Sequence, residues 1–406
     1  MKVLHINQSD IAGGAAIAAY RLHQGLLDQG IDSRLLVGEV KTNSHRVQAT
    51  PRKHRLENQL YRLSWRLGFN YINLVGSFDI PQHEFYKNAE IINFHNLHTG
   101  YFNYLAIPTL TKSKPAVFTL HDMWSFTGHC AYSYDCDRWK IGCGKCPYPE
   151  IYPGVPRDNT RVEWKLKNWV YSRSNINIVT PSNWLTEQVK QSMLNRFHID
   201  RIPYGIDTEA YQPLEREQCR LLLGIPTSKT VLMFAAQNFK DSRKGGDLLV
   251  AALSSLPASL KAETLLLTLG DGGESILEAV GIPTLNLGYV SSDRLKCIAY
   301  SAADLFVFPT RADNLPLVLQ ESMACGIPMV SFKIGGVPDL VRPGVTGYLA
   351  EPGDATDLCN GIIQLVEDNN LRTQMSQQCR AIALAEYSLK LQSQRYIELY
   401  RQILRT

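Results

Sequence analysis

The sequence has no apolar run that approaches the ~20 residues needed to span a bilayer, although hydrophobic residues make up 45% of it. Its first residues, Met1–Asn7, are too polar to supply the apolar region of a secretion signal. Charged residues make up 20% of the chain, an ordinary share for a globular protein. These features exclude a membrane-spanning protein and a disordered chain, and they predict a cytoplasmic location.

The formal net charge of the 406 residues is only +4, but it is unevenly distributed. Residues 1–205 contain 24 basic and 16 acidic side chains, a net charge of +8, whereas residues 206–406 have a net charge of −4. The halves are therefore expected to meet different partners, and no nucleic-acid partner is predicted. The length by itself predicts two to three domains.

Strand-like apolar segments alternate with helix-like segments in both halves. Continuous apolar strands of this kind are typical of parallel sheets that are covered by helices on both faces. We therefore predict an α/β protein with two doubly wound, Rossmann-like domains, whose ligands bind at the carboxyl ends of the strands. The linker is predicted at Pro203–Asp207, and the last helix at Leu389–Ile403 has no strand after it.

Two carboxylates eight residues apart, Asp313 and Glu321, bracket the start of a predicted helix. Pro316 suits the first turn of that helix, where its missing N–H is not needed. The free N–H groups of that turn, together with the helix dipole, form a site for a diphosphate. On spacing alone, a capped helix with an exposed glutamate explains the pattern equally well.

From Asp313 the sequence reads Asp-Asn-Leu-Pro-Leu-Val-Leu-Gln-Glu-Ser-Met-Ala-Cys-Gly-Ile-Pro-Met-Val. This run resembles the Glu-x7-Glu motif of the retaining glycosyltransferases of family 4, and its acidic-Asn-Leu-Pro start is similar to a variant in a related bacterial branch. Segments that begin at Gly335, Gly344 and Pro203 resemble the family's G-G-x-x-E-x-V, G-x-x-G-x-L and P-N-G-V-D motifs. The resemblance covers nearly the whole chain.

The resemblance implies a GT-B fold, in which two Rossmann-like domains face a cleft. It implies an acceptor domain at 1–205, a nucleotide-sugar donor domain at 206–385, and a C-terminal helix at 386–406 that packs back on the first domain. The donor would be a UDP- or GDP-sugar, and catalysis would need no divalent metal.

Within the donor domain, the resemblance implies that Glu321 holds the ribose hydroxyls and that Asp313 contacts the sugar. Because Asp313 is one methylene shorter than the family's glutamate, the identity of the sugar stays open. The residues whose backbone would face the sugar and diphosphate are Asn314, Leu315, Leu317 and Val318.

Arg243 and Lys244 follow a predicted strand and open a helix. Two cations at a helix start can neutralise a diphosphate leaving group, the main electrostatic task in breaking a sugar–phosphate bond. In the family a Lys-Gly at this point does so, usually with an arginine five residues earlier. Phe239 occupies that earlier position here, so Arg243 or Lys240 is expected to replace the arginine. The alternative is a basic, solvated helix start.

Gly13 and Gly14 follow the first predicted strand and allow the backbone to approach a ligand closely. The turn is not G-x-G-x-x-G, which argues against a dinucleotide cofactor. The resemblance implies that this loop lies near the donor phosphate and the acceptor, and that His121, directly after a strand, lies near the donor sugar. His95 and His98 are further candidates for lining the acceptor side.

Four cysteines with the spacing Cys-x5-Cys-x6-Cys-x2-Cys lie in a loop at 128–147, and four thiolates suit a tetrahedral zinc ion. We predict a structural zinc that braces this loop; an iron–sulfur cluster and a metal-free loop are the alternatives. An Asp-Cys-Asp tripeptide at 135–137 formally matches a cation-binding D-x-D, but its place in the cysteine loop disfavours that role. The predicted metal ligands are Cys130, Cys136, Cys143 and Cys146.

Seven basic residues and one acidic residue lie between Lys41 and Arg66. A basic amphipathic helix can lie on an anionic membrane, where a lipid-linked acceptor is found. We therefore expect peripheral contact of residues 41–67 with the inner face of the membrane; packing on the helix's own domain is the alternative. The leucines on one face of this predicted helix are Leu56, Leu60, Leu63 and Leu67.

These patterns together predict a retaining glycosyltransferase that moves a hexose-type sugar from a nucleotide sugar to a glycan or lipid-linked acceptor in polysaccharide or glycolipid synthesis. Closure of the cleft would exclude water from the reaction. Two alternatives stay open. A sugar-nucleotide 2-epimerase of similar fold would act without an acceptor, and a non-catalytic, metal-sensing or nucleotide-sugar-binding protein would bind without turnover.

Overall fold

The computed structural model describes residues 1–272 and 278–405. The chain forms two units. The N-terminal unit comprises Met1–Tyr204 and the residues from Gln392 onward, and the C-terminal unit comprises Gly205–Leu391. Within the described residues, none of the helices combines the length and the apolar character that crossing a bilayer requires.

The N-terminal unit contains a parallel sheet with the strand order β3-β2-β1-β4-β5-β6-β7. The strand order reverses between β1 and β4, and this switch point is where doubly wound sheets bind ligands. The strands are β1 Lys2–Ser9, β2 Asp32–Glu39, β3 Val47–Ala49, β4 Ile91–Phe94, β5 Ala116–Thr119, β6 Ile176–Thr180 and β7 Ile199–Arg201.

Helices cover both faces of this sheet. The first of them buries its alanines and leucines against the sheet and ends just before Gly30, whose φ of +75° suits a glycine at a helix end. The helices that precede the second unit are α1 Gly14–Asp28, α2 His54–Arg66, α3 Glu84–Asn88, α4 Ile107–Leu110, α5 Thr160–Tyr171 and α6 Asn183–Lys190.

The C-terminal unit repeats the scheme with the strand order β10-β9-β8-β11-β12-β13, again entirely parallel. Its switch point lies between β8 and β11. The strands are β8 Thr230–Asn238, β9 Thr264–Asp271, β10 Thr284–Asn286, β11 Leu305–Phe308, β12 Met329–Phe332 and β13 Gly347–Ala350. The described helices are α7 Arg216–Leu223, α8 Gly246–Ser254, α9 Ala258–Glu263, α10 Asp293–Ala302, α11 Leu317–Ala324, α12 Ala355–Glu367 and α13 Asn369–Glu386.

The last helix, α14, spans Leu389–Arg405. From Gln392 onward it is part of the N-terminal unit, where Tyr396 and Tyr400 are fully buried. The Asn93 amide donates a hydrogen bond to the Tyr400 hydroxyl at 2.8 Å, and the Tyr396 hydroxyl lies 3.0 Å from the Thr119 hydroxyl. These contacts anchor the helix to β4 and β5.

The predicted α/β architecture with two doubly wound sheets is confirmed. The sequence did not indicate two edge strands, β3 and β13, because segments of three and four residues carry almost no periodicity. One local prediction was wrong by a residue: α11 begins at Leu317, so Pro316 is the cap that precedes the helix and not part of its first turn.

Candidate active site

A single 3-10 turn, Ser242–Lys244, carries the two predicted cations after β8. The next residue, Gly245, has a φ of +72°, and a Cβ there would overlap the carbonyl oxygen of Pro309, which directly follows β11. Only glycine lets the turn come so close to the end of β11. The Arg311 N–H donates to the Arg243 carbonyl at 2.8 Å, which fixes the turn against the loop that carries the first predicted carboxylate.

That loop brings Asp313 to both cations. The Lys244 ammonium donates to Asp313 Oδ2 at 2.7 Å, and Arg243 Nη1 donates to the same oxygen at 3.2 Å. Arg243 also donates to the Ala312 carbonyl at 3.0 Å and to Asp241 Oδ2 at 3.1 Å. The three side chains thus form one cluster, two cations on one carboxylate, at the switch point between β8 and β11.

Burial by itself raises the pKa of the Asp313 carboxyl, but Lys244, Arg243 and the Asn314 N–H outweigh it, so the pKa lies below its ordinary value. Burial also lowers the pKa of the Lys244 ammonium, and Asp313 only partly offsets this effect. Asp313 is therefore a carboxylate at neutral pH, and together with Asp241, which contacts Arg243, it sets two carboxylates against two cations next to a helix start.

Within the described residues, no side chain caps the start of α11. The N–H groups of Leu319 and Gln320 turn back to the Pro316 carbonyl, whereas Leu317 and Val318 open the helix and are only half-buried. The first N–H groups of a helix have no intrahelical acceptor, and with the helix dipole they attract anions. Diphosphate binding at this start stays a prediction.

Glu321 lies in α11, four residues after Leu317, and is almost fully buried. Its Oε2 accepts a hydrogen bond of 3.2 Å from the hydroxyl of Tyr300, which belongs to α10. Sequence reasoning missed Tyr300, because no spacing links it to the motif. Asn314 and Leu315, the other predicted contacts, are buried in the loop beside Asp313.

The position expected for a family arginine is part of the core. Phe239 is buried and stacks on Phe234, with ring centroids 5.2 Å apart. Lys240 is exposed, whereas Arg243 contacts Asp313 directly. Of the two predicted replacements, the structure therefore favours Arg243.

In the N-terminal unit, the glycine turn leads into α1. Gly13 has a φ of +93°, which favours glycine, and a Cβ on Gly14 would meet nothing within 4 Å. The packing of the chain therefore does not require a glycine at position 14. The absent side chain leaves the start of α1 accessible, as a ligand-binding turn needs.

His121 follows β5 and is largely buried, and both of its ring nitrogens contact protein groups. Nε2 lies 3.0 Å from His95 Nδ1, and Nδ1 lies 2.6 Å from the hydroxyl of Tyr204. His98 forms a separate pair, with its Nε2 2.8 Å from Asp122 Oδ2. The structure thus brings His121 and His95 together and sets His98 beside Asp122.

The cysteine loop does not support the predicted zinc site. Within residues 1–272 and 278–405, no group of three or more His, Cys, Asp or Glu side chains is arranged to hold a metal ion. The Cys146 thiol lies 3.2 Å from His129 Nε2, and the Gly128 N–H donates to the Cys143 sulfur at 3.2 Å. Cys130 and Cys136 are likewise free thiols. A zinc ion is therefore not part of the proposed function.

The Asp-Cys-Asp tripeptide has local partners. Asp135 accepts a hydrogen bond of 2.8 Å from the Tyr148 hydroxyl, and Asp137 pairs with Lys140 at 2.8 Å. The second contact lies within the cysteine loop, and Tyr148 directly follows that loop.

Two family models match the sequence. The model described as Glycosyl transferases group 1 matches residues 217–381, and the model described as Glycosyltransferase Family 4 matches residues 12–210. Both models are those of glycosyltransferases, and the two doubly wound units have the GT-B fold. The family 4 model covers most of the N-terminal unit, and the group 1 model covers most of the C-terminal unit.

Among the similar proteins, the putative colanic acid biosynthesis glycosyl transferase WcaC of Escherichia coli is 27% identical over 416 residues, 96% of this chain and 94% of that protein. The lipopolysaccharide 1,2-N-acetylglucosaminetransferase of Salmonella typhimurium is 28% identical over 54% of this chain and 61% of its own length.

Two solved structures have the same fold. The sucrose-phosphate synthase of Thermosynechococcus elongatus aligns with a TM-score of 0.71 and 17% identity over 99% of both chains. Anabaena HepE in complex with UDP and glucose aligns with a TM-score of 0.70 and 18% identity over 99% of this chain and 100% of that one. At these identities the likeness concerns the fold alone.

Proposed function

We propose that the protein is a retaining glycosyltransferase that moves a hexose-type sugar from a UDP- or GDP-sugar to a hydroxyl of a glycan or lipid-linked acceptor. The observation that carries the proposal is the cluster of Arg243, Lys244 and Asp313 beside the uncapped start of α11. Its two cations and the helix N–H groups suit the diphosphate of a nucleotide sugar, and the Asp313 carboxylate suits sugar hydroxyls.

In this proposal the C-terminal unit binds the donor. Lys244, Arg243 and the N–H groups at Leu317 and Val318 stabilise the negative charge that develops on the departing diphosphate. Glu321, which is held by Tyr300, binds the ribose hydroxyls. No divalent metal is required, because side-chain cations and the helix dipole supply the positive charge.

The sugar is oriented by Asp313 and His121, and its configuration is retained. As the family resemblance implies, the acceptor hydroxyl attacks from the face that the diphosphate leaves. A donor phosphate oxygen takes the proton of that hydroxyl, so no protein base is needed at the attacking atom. The family resemblance also implies a role for the turn of Gly13 and Gly14 in binding the donor phosphate and the acceptor.

The acceptor is proposed to be a growing polysaccharide or a lipid-linked sugar. Two similar proteins are named for colanic acid biosynthesis and for lipopolysaccharide. The net charge of +8 over residues 1–205 suits a phosphorylated or lipid-diphosphate acceptor.

We also propose that α2 contacts an anionic membrane. Its polar residues Glu57 and Ser64 face inward, whereas Leu56, Leu63 and Trp65 are exposed, Leu63 to 60%. Most of the leucine face is therefore exposed, whereas an ordinary amphipathic helix buries its apolar face. Neighbouring lysines and arginines supply attraction to anionic lipid headgroups.

The test is turnover of a panel of UDP- and GDP-sugars without acceptor, comparing the wild type with Glu321→Ala. Slow release of nucleotide and free sugar from one donor, lost in the variant, is the expected result. Glu367→Ala, an exposed glutamate of the same unit, is the matched control and should leave the release unchanged. Once an acceptor is found, the anomeric configuration of the product, read by NMR, tests retention.

Other outcomes would favour the alternatives. A nucleotide sugar that is epimerised at its second carbon would indicate a 2-epimerase. Tight binding of one donor, with no turnover in the presence of lipid-linked or glycan acceptors, would indicate a non-catalytic binding protein.

A further inference from the structure

Three histidines meet in the N-terminal unit, one from the middle of a strand and two from just after the ends of the next two strands in the sheet. His5 lies on β1, His95 directly follows β4, and His121 follows β5. Although 90 and 26 residues separate them along the chain, all three are buried. They lie at the switch point of the sheet, where doubly wound folds bind ligands.

A continuous line of hydrogen bonds joins these rings. His5 Nδ1 lies 2.9 Å from His95 Nε2, and His95 Nδ1 lies 3.0 Å from His121 Nε2. His121 Nδ1 then lies 2.6 Å from the Tyr204 hydroxyl. The rings are stacked or tilted, with successive centroids 5.1, 5.3 and 5.4 Å apart. We call His5, His95, His121 and Tyr204 the histidine relay.

The positions of the ring protons are coupled along the relay. A hydrogen bond between two ring nitrogens needs one N–H and one lone pair, and a neutral imidazole has one of each. The tautomer of one ring therefore dictates that of the next. The three rings are either all protonated at Nε2, with Tyr204 donating to His121, or all protonated at Nδ1, with Tyr204 accepting.

The tautomers are coupled in this way because each ring is neutral. Burial lowers the pKa of His5 to about 3, with a further contribution from His23. Burial likewise lowers the pKa of His121 to about 4, despite the opposing effect of Asp122, and holds the pKa of His95 well below its usual range. At neutral pH each ring carries a single proton.

We propose that His5 and His95 are positioning residues that fix the tautomer and the orientation of His121 through one hydrogen-bonded relay ending at Tyr204. Because both ring nitrogens of His121 are engaged, one with His95 and one with Tyr204, the relay fixes which of them carries the proton and how the ring is oriented. The consequence for sugar transfer rests on the proposed function, in which His121 orients the donor sugar. The coupling of the three tautomers is independent of that function.

The direct test is NMR of the full chain labelled with ¹⁵N-histidine, without any donor. Long-range ¹H–¹⁵N correlations report which nitrogen of each ring is protonated, and we expect the same tautomer at His5, His95 and His121. Tyr204→Phe keeps the stacked ring but removes the terminal hydroxyl. We expect it to change the tautomer populations of all three histidines in step, including His5 at the far end.

Tyr152→Phe is the matched control. It removes a hydroxyl that lies 3.3 Å from His98 Nδ1, outside the relay, and should leave the three tautomers unchanged. Opposite tautomers at two adjacent rings, or a response to Tyr204→Phe that is confined to His121, would overturn the relay.

Kinetics test the positioning role. We expect His5→Leu to lower kcat by about tenfold, the effect of losing one orienting hydrogen bond. His5→Asn should recover most of this loss, because its amide reaches the place of Nδ1 and can pair with His95. His129→Leu is the control, since His129 is equally buried and lies outside the relay.

Equal losses of kcat in His5→Leu and His129→Leu would mean that His5 is merely structural, and this would overturn the positioning role. If the wild type transferred no sugar at all, the proposed function would fail while the NMR result would still decide the relay. Because Tyr204→Phe preserves the packing of the ring, the decision does not depend on the folding of His5→Leu.

Discussion

The substitution Asp313→Asn removes one negative charge from the cluster with Lys244 and Arg243. At the observed separations of 2.7 and 3.2 Å, the gross attractions of the carboxylate to the two cations are about 6 and about 5 kcal/mol at an effective dielectric constant of about 20. Desolvation of the three groups offsets most of this attraction. We therefore expect the free energy of unfolding to fall by about 1–3 kcal/mol.

The same substitution should strengthen nucleotide binding. In the free protein Asp313 occupies the two cations, so a diphosphate must compete with the carboxylate for them. Without that competitor, the affinity for UDP or GDP should rise by about tenfold, which corresponds to about 1.4 kcal/mol. The sugar loses its carboxylate contact, so the advantage of the nucleotide sugar over the bare nucleotide should shrink, and transfer should fall.

The assay is isothermal titration of each variant with the nucleotide and with its sugar derivative, together with thermal unfolding. Asp241→Asn is the matched control, because Asp241 also contacts Arg243, at 3.1 Å, but lies outside the β11 loop. If Asp313→Asn weakened nucleotide binding, or if Asp241→Asn strengthened it equally, the competition argument would be refuted.

The pH dependence of stability follows from the direction of the Asp313 pKa. Because the folded-state pKa lies below the unfolded value of about 3.9, the contribution of Asp313 to stability is fully present above that pH. It is lost as the pH falls through the folded-state pKa. The stability difference between wild type and Asp313→Asn should thus be constant near neutrality and shrink below about pH 4. A difference that grows on acidification would contradict the charged cluster.

Three further predictions follow from single contacts. Lys244→Ala should lower kcat by about 10²–10³-fold in steady-state transfer assays, because one hydrogen-bond donor to the departing diphosphate is lost. A change within twofold would mean that the diphosphate does not leave from Lys244. Gly245→Ala should lower the melting temperature far more than Gly224→Ala, since both have a positive φ but only the former would clash with backbone. Leu63→Glu should reduce binding to vesicles rich in anionic lipid. Leu221→Glu, at a residue 80% exposed on another helix, should not. Equal binding by the two variants would contradict the contact of α2 with the membrane.

Much of the fold was predictable, because buried parallel strands are short apolar runs and their helices end at recognisable residues. The last helix, predicted at Leu389–Ile403, begins at the predicted residue and ends two residues later, at Arg405. The short strands β3 and β13 were not predictable, since their edge positions leave their residues partly exposed and without an apolar pattern. The zinc prediction lacks support because cysteine spacing alone does not specify where four sulfurs point.

The sequence by itself predicted the class of the protein and the residues of the proposed donor site. The cation pair before α8 and the two carboxylates around the start of α11 are local patterns. They can be recognised in the sequence without knowing how the domain folds. Only the tertiary structure decided that Lys244 and Arg243 share the Asp313 carboxylate, because these residues are 69 and 70 positions apart. It alone joined His5, His95, His121 and Tyr204, because the strand order, with β1 beside β4 and β4 beside β5, brings distant segments together.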